Sequence, residues 1–241
     1  KPLVISETFH SIQGEGKFCG ASSFFVRTSG CNLRCWWCDT PYTSWKPEGK
    51  LRDVQSLFDE AMASGAPHIV VTGGEPMMFP EQVGAMVAAL RDASKVVTVE
   101  TNGTVHDARV RPDLWSVSPK LASAAPSPER GQGTPDRNAA ARETHLANLD
   151  PAELGKFCRA VDFGGDVQFK FVVTCPADVE EVAAMAEAYG LPARTVWLMP
   201  EGRSRDEVLA KASWVAEECK ARGWNLTLRL HTLMWWNKRG I

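Results

Sequence analysis

SSFFVRTSGCNLRCWWCDT, residues 22–40, decides how this chain is read. Its first seven residues are rich in aromatic and β-branched side chains and read as a strand, which runs straight into a loop carrying Cys31, Cys35 and Cys38. Comparable short runs recur outward from it, at residues 68–72, 96–100, 114–118, 167–173, 195–199 and 226–230. Between them, apolar residues fall at helical spacing: Leu51, Val54, Leu57, Phe58, Ala61 and Met62; Val83, Met86, Val87 and Leu90; Val179, Val182, Met185 and Ala186. Strands alternating with helices predict a mostly parallel sheet. The unusual polar residues follow strand ends: the cysteine loop after the first, TGGEP after the second, TNG after the third, SPK after the fourth and MPEG after the sixth. In a parallel α/β barrel those ends share one face, where sites are assembled. Seven strands with few intervening helices predict an α/β, partial TIM-like barrel with one composite site.

The 241 residues are 44% hydrophobic and 23% charged, enough for one sizeable core, so residues 1–241 read as a single domain. With 27 Lys and Arg against 29 Asp and Glu, there is no basic field to draw nucleic acid, and a small-molecule substrate is favoured. No apolar run approaches the ~20 residues of a membrane span, and KPLVISETFH lacks the apolar stretch of a secretory signal, so the expected location is cytoplasmic. Residues 122–150 are rich in Ala, Pro, Gly and charge without a sustained period, and read as an insertion or mobile loop. Cys19, Cys158, Cys175 and Cys219 are scattered and read as free thiols.

Three thiolates in eight residues make a poor disulfide framework and a good metal site. They are able to hold three irons of a [4Fe-4S] cubane and leave the fourth open, where S-adenosylmethionine (SAM) chelates and is cleaved by one electron to a 5′-deoxyadenosyl radical. Zinc would need a fourth ligand such as His10, His68 or His231, and the paired CxxC knuckles usual for zinc are absent. The spacing, with Trp37 just before the third cysteine, resembles the radical SAM superfamily. Gly74 and Glu75, in the GGEP turn after an apolar strand, resemble its loop for the SAM amino group. Ser118, Pro119 and Lys120, and then Gln168, Phe169, Lys170 and Phe171, resemble later SAM-contacting segments. Asn102 and Gly103 read equally as turn or as cofactor contact.

Ser11-Ile12-Gln13-Gly14-Glu15-Gly16 upstream, the strand carrying Arg27, and Asp39-Thr40 directly after the third cysteine are together similar to the 7-carboxy-7-deazaguanine synthases, the radical SAM carbon–nitrogen lyases of queuosine and 7-deazapurine biosynthesis. The resemblance is clear from Glu7 to Glu75 and looser beyond. It implies conversion of 6-carboxy-5,6,7,8-tetrahydropterin to 7-carboxy-7-deazaguanine by radical ring contraction with loss of ammonia. It further implies Mg²⁺ on Thr40 and substrate contacts from Ile12, Gln13, Gly14, Arg27, Thr72 and His231, with the carboxylate of Ile241 closing the pocket. An external electron donor such as flavodoxin and a homodimer follow from the same resemblance. Residues 122–150 depart from the shortest relatives. The residues taken alone leave plainer readings open: a polar turn for Gln13 and Glu15, an ion pair for Arg27, a cap for Thr40. A radical SAM activase acting on a partner protein shares the cluster loop, but the IQGEG segment, Arg27 and the Asp39-Thr40 pair argue against it. A non-catalytic zinc module is disfavoured by the near-neutral charge and the single cysteine cluster.

Overall fold

The computed structural model describes residues 2–149, 151–160, 165–236 and 238–241. Its strands are β1 (Leu3–Ile12), β2 (Ser22–Thr28), β3 (Lys50–Arg52), β4 (His68–Gly73), β5 (Val96–Thr101), β6 (Leu114–Val117), β7 (Asp166–Val173), β8 (Val196–Pro200) and β9 (Asn225–Leu226). Its helices are α1 (Pro41–Ser44), α2 (Val54–Ala63), α3 (Pro80–Asp92), α4 (Pro135–Ala147), α5 (Leu154–Ala160), α6 (Pro176–Ala188), α7 (Arg205–Arg222) and α8 (Leu230–Trp235). One sheet runs in the order β3-β1-β2-β4-β5-β6-β7-β8-β9, parallel from β2 to β9 and antiparallel at β1. No pairing joins β3 to β9 among the described residues, so this is the expected barrel left open.

Local chemistry fixes the helix ends. Asp53 accepts from the Gln55 amide at the start of α2, a Ser204–Glu207 capping box opens α7, and Gly223, with φ of 67°, ends it in the left-handed conformation. Alternation along β7 then sorts its side chains: Val167, Phe169, Phe171 and Val173 join the core against the helices, together with Val83, Met86, Val179 and Val182. Each buried phenylalanine contributes roughly 1.5–3 kcal/mol. Lys170 and Val172 take the opposite face, toward the strand ends.

All seven sequence-derived strands form, but the last shrinks to Asn225–Leu226 because Leu230 begins a helix. Strands β1 and β3 were not anticipated. Leu51, assigned to a helical face, lies instead on β3 with 68% of its surface exposed. Within residues 122–150 the chain forms a short turn of 3-10 helix at Ala122–Ala124 and then α4; Asp150 lies outside the described residues. Proline at the first turn starts α4, and its polar, alanine-rich composition conceals any apolar period. Among the described residues no helix is long and apolar enough to cross a membrane.

Candidate active site

A cavity of about 270 Å³ opens at the carboxyl ends of the parallel strands. Of the residues singled out from sequence, Ile12, Gln13, Gly14, Arg27, Cys31, Cys35, Cys38, Thr40, Thr72, Gly74, Ser118, Lys120, Lys170, His231 and Ile241 all line it. Two glycines are required there by contact. A Cβ on Gly14 would stand 2.1 Å from His231 Nδ1, and one on Gly74 would stand 2.2 Å from the Gly30 carbonyl oxygen.

The cysteine loop itself has no regular structure between β2 and α1, and the sulfurs of Cys31 and Cys38 are met by donors. The Leu33 amide points at Cys31 Sγ at 3.4 Å, Ser44 Oγ lies 3.2 Å from Cys38 Sγ, and the Asn102 amide approaches Cys31 at 4.0 Å. Burial pushes the Cys31 thiol up to about 12 and raises Cys35 and Cys38 as well. Thiols so desolvated ionise only against strong positive charge, which iron supplies. The Trp37 indole N–H, also on the cavity wall, is buried with no acceptor among the described residues. No three His, Cys, Asp or Glu side chains among the described residues are arranged to hold a single ion; a cubane asks for one thiolate per iron. The donor set fits such a cluster.

The cavity-lining residues Gln13, Thr72 and Arg27 are held by partners that sequence reading missed. Glu100, the one charged residue of the valine- and threonine-built β5, accepts from Gln13 Nε2 at 3.0 Å and from Thr72 Oγ1 at 2.9 Å, so one side chain orients two. Glu7, opposite Arg27 in the β1–β2 register, accepts from Arg27 Nε at 2.8 Å, from the Tyr42 hydroxyl at 2.9 Å and from Arg239 Nε at 3.0 Å. Arg27 therefore does form an ion pair, through Nε and on the cavity wall. Arg239 lies over the Tyr42 ring at 3.9 Å, which brings the end of the chain back to the cavity.

A buried charge network forms the floor. Glu15 pairs with Lys170 and, at 3.3 Å, with Arg229, which reaches Asp39 at 3.1 Å and donates to the Gly202 carbonyl at 3.0 Å. Burial would raise the Glu15 carboxyl, but Lys170, Arg229 and His231 prevail and hold it at about 2. Burial likewise opposes the Lys170 ammonium, and Glu15 and Glu100 outweigh it, leaving its pKa above the ordinary value. Arg229 has no motif around it; its one signal was a charged residue inside the apolar run 226–230.

Several expected SAM contacts lie elsewhere. Phe169 and Phe171 are fully buried on the helix side of β7, since strand alternation turns them from the cavity. Gln168 spans from the Lys17 amide to Ser116 Oγ, packed beside Gly16. Glu75 is completely buried and does not line the cavity; it accepts from the Met77 and Asn102 amides and Thr101 Oγ1, bracing neighbouring loops. Pro119 is absent from the cavity lining, and Lys120 donates to both Ser118 oxygens, at 2.6 and 2.7 Å, with its ammonium 5.7 Å from the Trp37 ring centroid. Thr40 sits at the N-terminal cap of α1 but makes no capping bond with its side chain.

A family model described as the radical SAM superfamily matches residues 25–119. The chain is 37% identical over 238 residues to the 7-carboxy-7-deazaguanine synthase of Rhodopirellula baltica, covering 99% of this chain and 88% of that protein. It is 41% identical over 241 residues to the enzyme of the same name from Halobacterium salinarum, covering 97% and 90%. Among solved structures it resembles QueE from Escherichia coli, with a TM-score of 0.64 at 23% identity over 95% of both chains, a likeness in fold. On relatives matched at this identity along nearly their whole length, the chain belongs to the 7-carboxy-7-deazaguanine synthase family of radical SAM enzymes.

Proposed function

We propose that this chain converts 6-carboxy-5,6,7,8-tetrahydropterin to 7-carboxy-7-deazaguanine with loss of ammonia. The observation that carries the reading is that three cysteine thiols share one cavity with the Gln13–Glu100–Thr72 set and Arg27. In this reading Cys31, Cys35 and Cys38 hold the [4Fe-4S] cluster, while Gly74, Ser118, Lys120 and Lys170 border the SAM. When bound, cluster and SAM together supply the electron and the radical that starts the ring contraction. The protein's part is positioning. Glu100 fixes the Gln13 amide and the Thr72 hydroxyl toward the pterin, and Arg27 offers its terminal nitrogens to the carboxylate while Glu7 holds its Nε. His231, against Gly14, and Ile241 complete the wall. The test is anaerobic turnover of the carboxypterin with SAM and a chemical reductant, followed by product and ammonia. SAM cleavage coupled only to hydrogen abstraction from a glycine of a partner polypeptide, with no turnover of the carboxypterin, would favour the activase instead.

Arg27→Lys is expected to weaken pterin binding about tenfold to a hundredfold and SAM binding less than about twofold, because lysine keeps the charge and loses the planar fork. Calorimetry on both ligands checks this; equal losses would make Arg27 a structural residue.

The proposal includes Mg²⁺ on Thr40, whose hydroxyl is weakly engaged, 3.5 Å from Thr43 Oγ1 and 3.8 Å from Cys38 Sγ. One protein oxygen suits a metal completed by water and substrate. Thr40→Ala should lose most Mg²⁺ stimulation and keep uncoupled SAM cleavage, with Thr40→Ser retaining both. A full Mg²⁺ response in both variants would move the metal elsewhere. An external electron donor such as flavodoxin, a homodimer and a cytoplasmic location belong to the same proposal, on family resemblance.

A further inference from the structure

An irregular loop holding a cluster needs partners for its own amides and carbonyls, since none is met by a ladder or a helix. On the β-sheet side these are internal to the barrel: Trp45 Nε1 donates to the Cys35 carbonyl, and the Glu75 amide to the Gly30 carbonyl. Within the loop, the Arg34 guanidinium donates to the Cys31 and Leu33 carbonyls and the Cys38 amide to that of Cys35, and a further set of contacts comes from residues 122–147. The Trp36 amide donates to the Ala124 carbonyl at 3.1 Å, and its indole to the Ser123 carbonyl at 2.8 Å. Gln132 Nε2 donates to the Cys38 carbonyl at 2.8 Å and, more weakly, to that of Trp36 at 3.3 Å. The Arg130 guanidinium lies 4.3 Å from the centre of the Trp36 ring. Finally, the Arg34 amide, immediately before Cys35, donates to His145 Nδ1 at 3.2 Å.

His145 is completely buried on α4, a helix otherwise polar and poor in apolar side chains. A backbone amide can only donate, so Nδ1 is the acceptor, the ring is neutral and its proton sits on Nε2. That Nε2 has no acceptor among the described residues. Burying it costs about 1–3 kcal/mol, so the Nδ1 contact to the cysteine loop is what orients the ring. Burial depresses the imidazole to about 4, in keeping with the same neutral form.

We propose that residues 122–147 are a clamp on the cluster loop, with His145 as its positioning residue: the helix fixes the peptide before Cys35 and thereby the placing of the middle ligand. This rests on the reading that the three cysteines hold the cluster. The test uses the whole chain with its cluster reconstituted, and no SAM or pterin. Iron release to a chelator is timed, the reduced cluster's electron paramagnetic resonance recorded, and thermal unfolding followed separately. His145→Leu should release iron about tenfold faster than wild type and broaden the resonance, while His145→Asn, whose side-chain oxygen can take the place of Nδ1, restores most of the difference. Gln132→Ala, on the half-exposed part of the clamp, should accelerate release in the same direction without affecting folding. Release at the wild-type rate in His145→Leu and Gln132→Ala overturns the clamp, as does acceleration that merely tracks the loss of thermal stability. A wild-type chain unable to hold four irons would instead sink the cluster reading beneath it.

Discussion

Replacing Cys35 with alanine is expected to remove the intact cubane while leaving a folded chain. Cys35 is only 8% exposed and packs with Trp37, Ala124, Val172 and Met199, so truncation costs about 1 kcal/mol of packing, well inside the margin of a domain of this size. The chemistry is far less tolerant. With two thiolates left, a second iron loses its protein ligand and the cluster falls to smaller species. Iron and sulfide content should drop below four each, the brown absorbance should fall, and reductive SAM cleavage should be lost by several orders of magnitude, with circular dichroism unchanged. A mutant that retains four irons, four sulfides and SAM cleavage would remove Cys35 from the ligand set.

Arg229→Leu should have the largest effect on stability. Arg229 is 5% exposed and is shared between Glu15 and the more exposed Asp39, so its removal leaves two part-buried carboxylates short of a counter-charge, Glu15 keeping only Lys170. Breaking a fully buried pair costs about 3–5 kcal/mol, and the exposure of Asp39 together with the remaining Glu15–Lys170 pair brings the expected loss to the lower end of that range. The sign of the pH dependence follows from Glu15, held at about 2 against an ordinary 4.5. A depressed carboxyl stabilises the fold fully above its unfolded value and loses that contribution as pH falls through the folded one. The wild-type advantage should therefore be widest near neutrality and narrow as pH drops from about 4.5 toward 2. Urea unfolding of both proteins at pH 7 and at pH 4 measures it. Equal stability at pH 7 would mean that water already neutralises the network. Arg229→Lys should recover only part, because one ammonium reaches one carboxylate at a time.

The parallel strands were legible because buried strands write themselves as short apolar runs between turn residues, and the cysteine spacing has few other meanings. Strand β1 escaped because LVISETFHSI mixes polar and apolar residues, with only Leu3 and Ile5 among its residues in the core, and because antiparallel pairing depends on a partner the pattern does not name. Residues within short motifs, such as Gln13 and Thr72, were picked out from sequence, and both line the cavity. Those that support them from a distance in sequence were not: Glu100 lies 87 residues from Gln13 and 28 from Thr72. Its signal was present, a carboxylate in an apolar strand, where an unpaired charge would be costly. The QFKF run shows the opposite error. A motif read as four consecutive contacts meets a strand whose alternation sends two of its residues into the core.

The Gly14 carbonyl accepts from the Leu230 amide at 2.9 Å, and the Gly16 amide donates to Thr227 Oγ1 across 211 residues of chain. These two bonds make the cavity a late product of folding. Loop closure over such a span is slow, and on a ribosome it must wait until the segment carrying Thr227 and Leu230 has emerged. Until then the IQGEG loop has no wall to rest against, while the cysteine loop, some two hundred residues ahead of that segment, is already synthesised and open to oxidants. Cluster loading before that segment docks would give a coordinated but pocketless intermediate; loading afterwards requires iron to enter through the finished cavity. The order of those two events is thus a property of the chain's connectivity, and pulse-labelled synthesis with timed iron addition would read it directly.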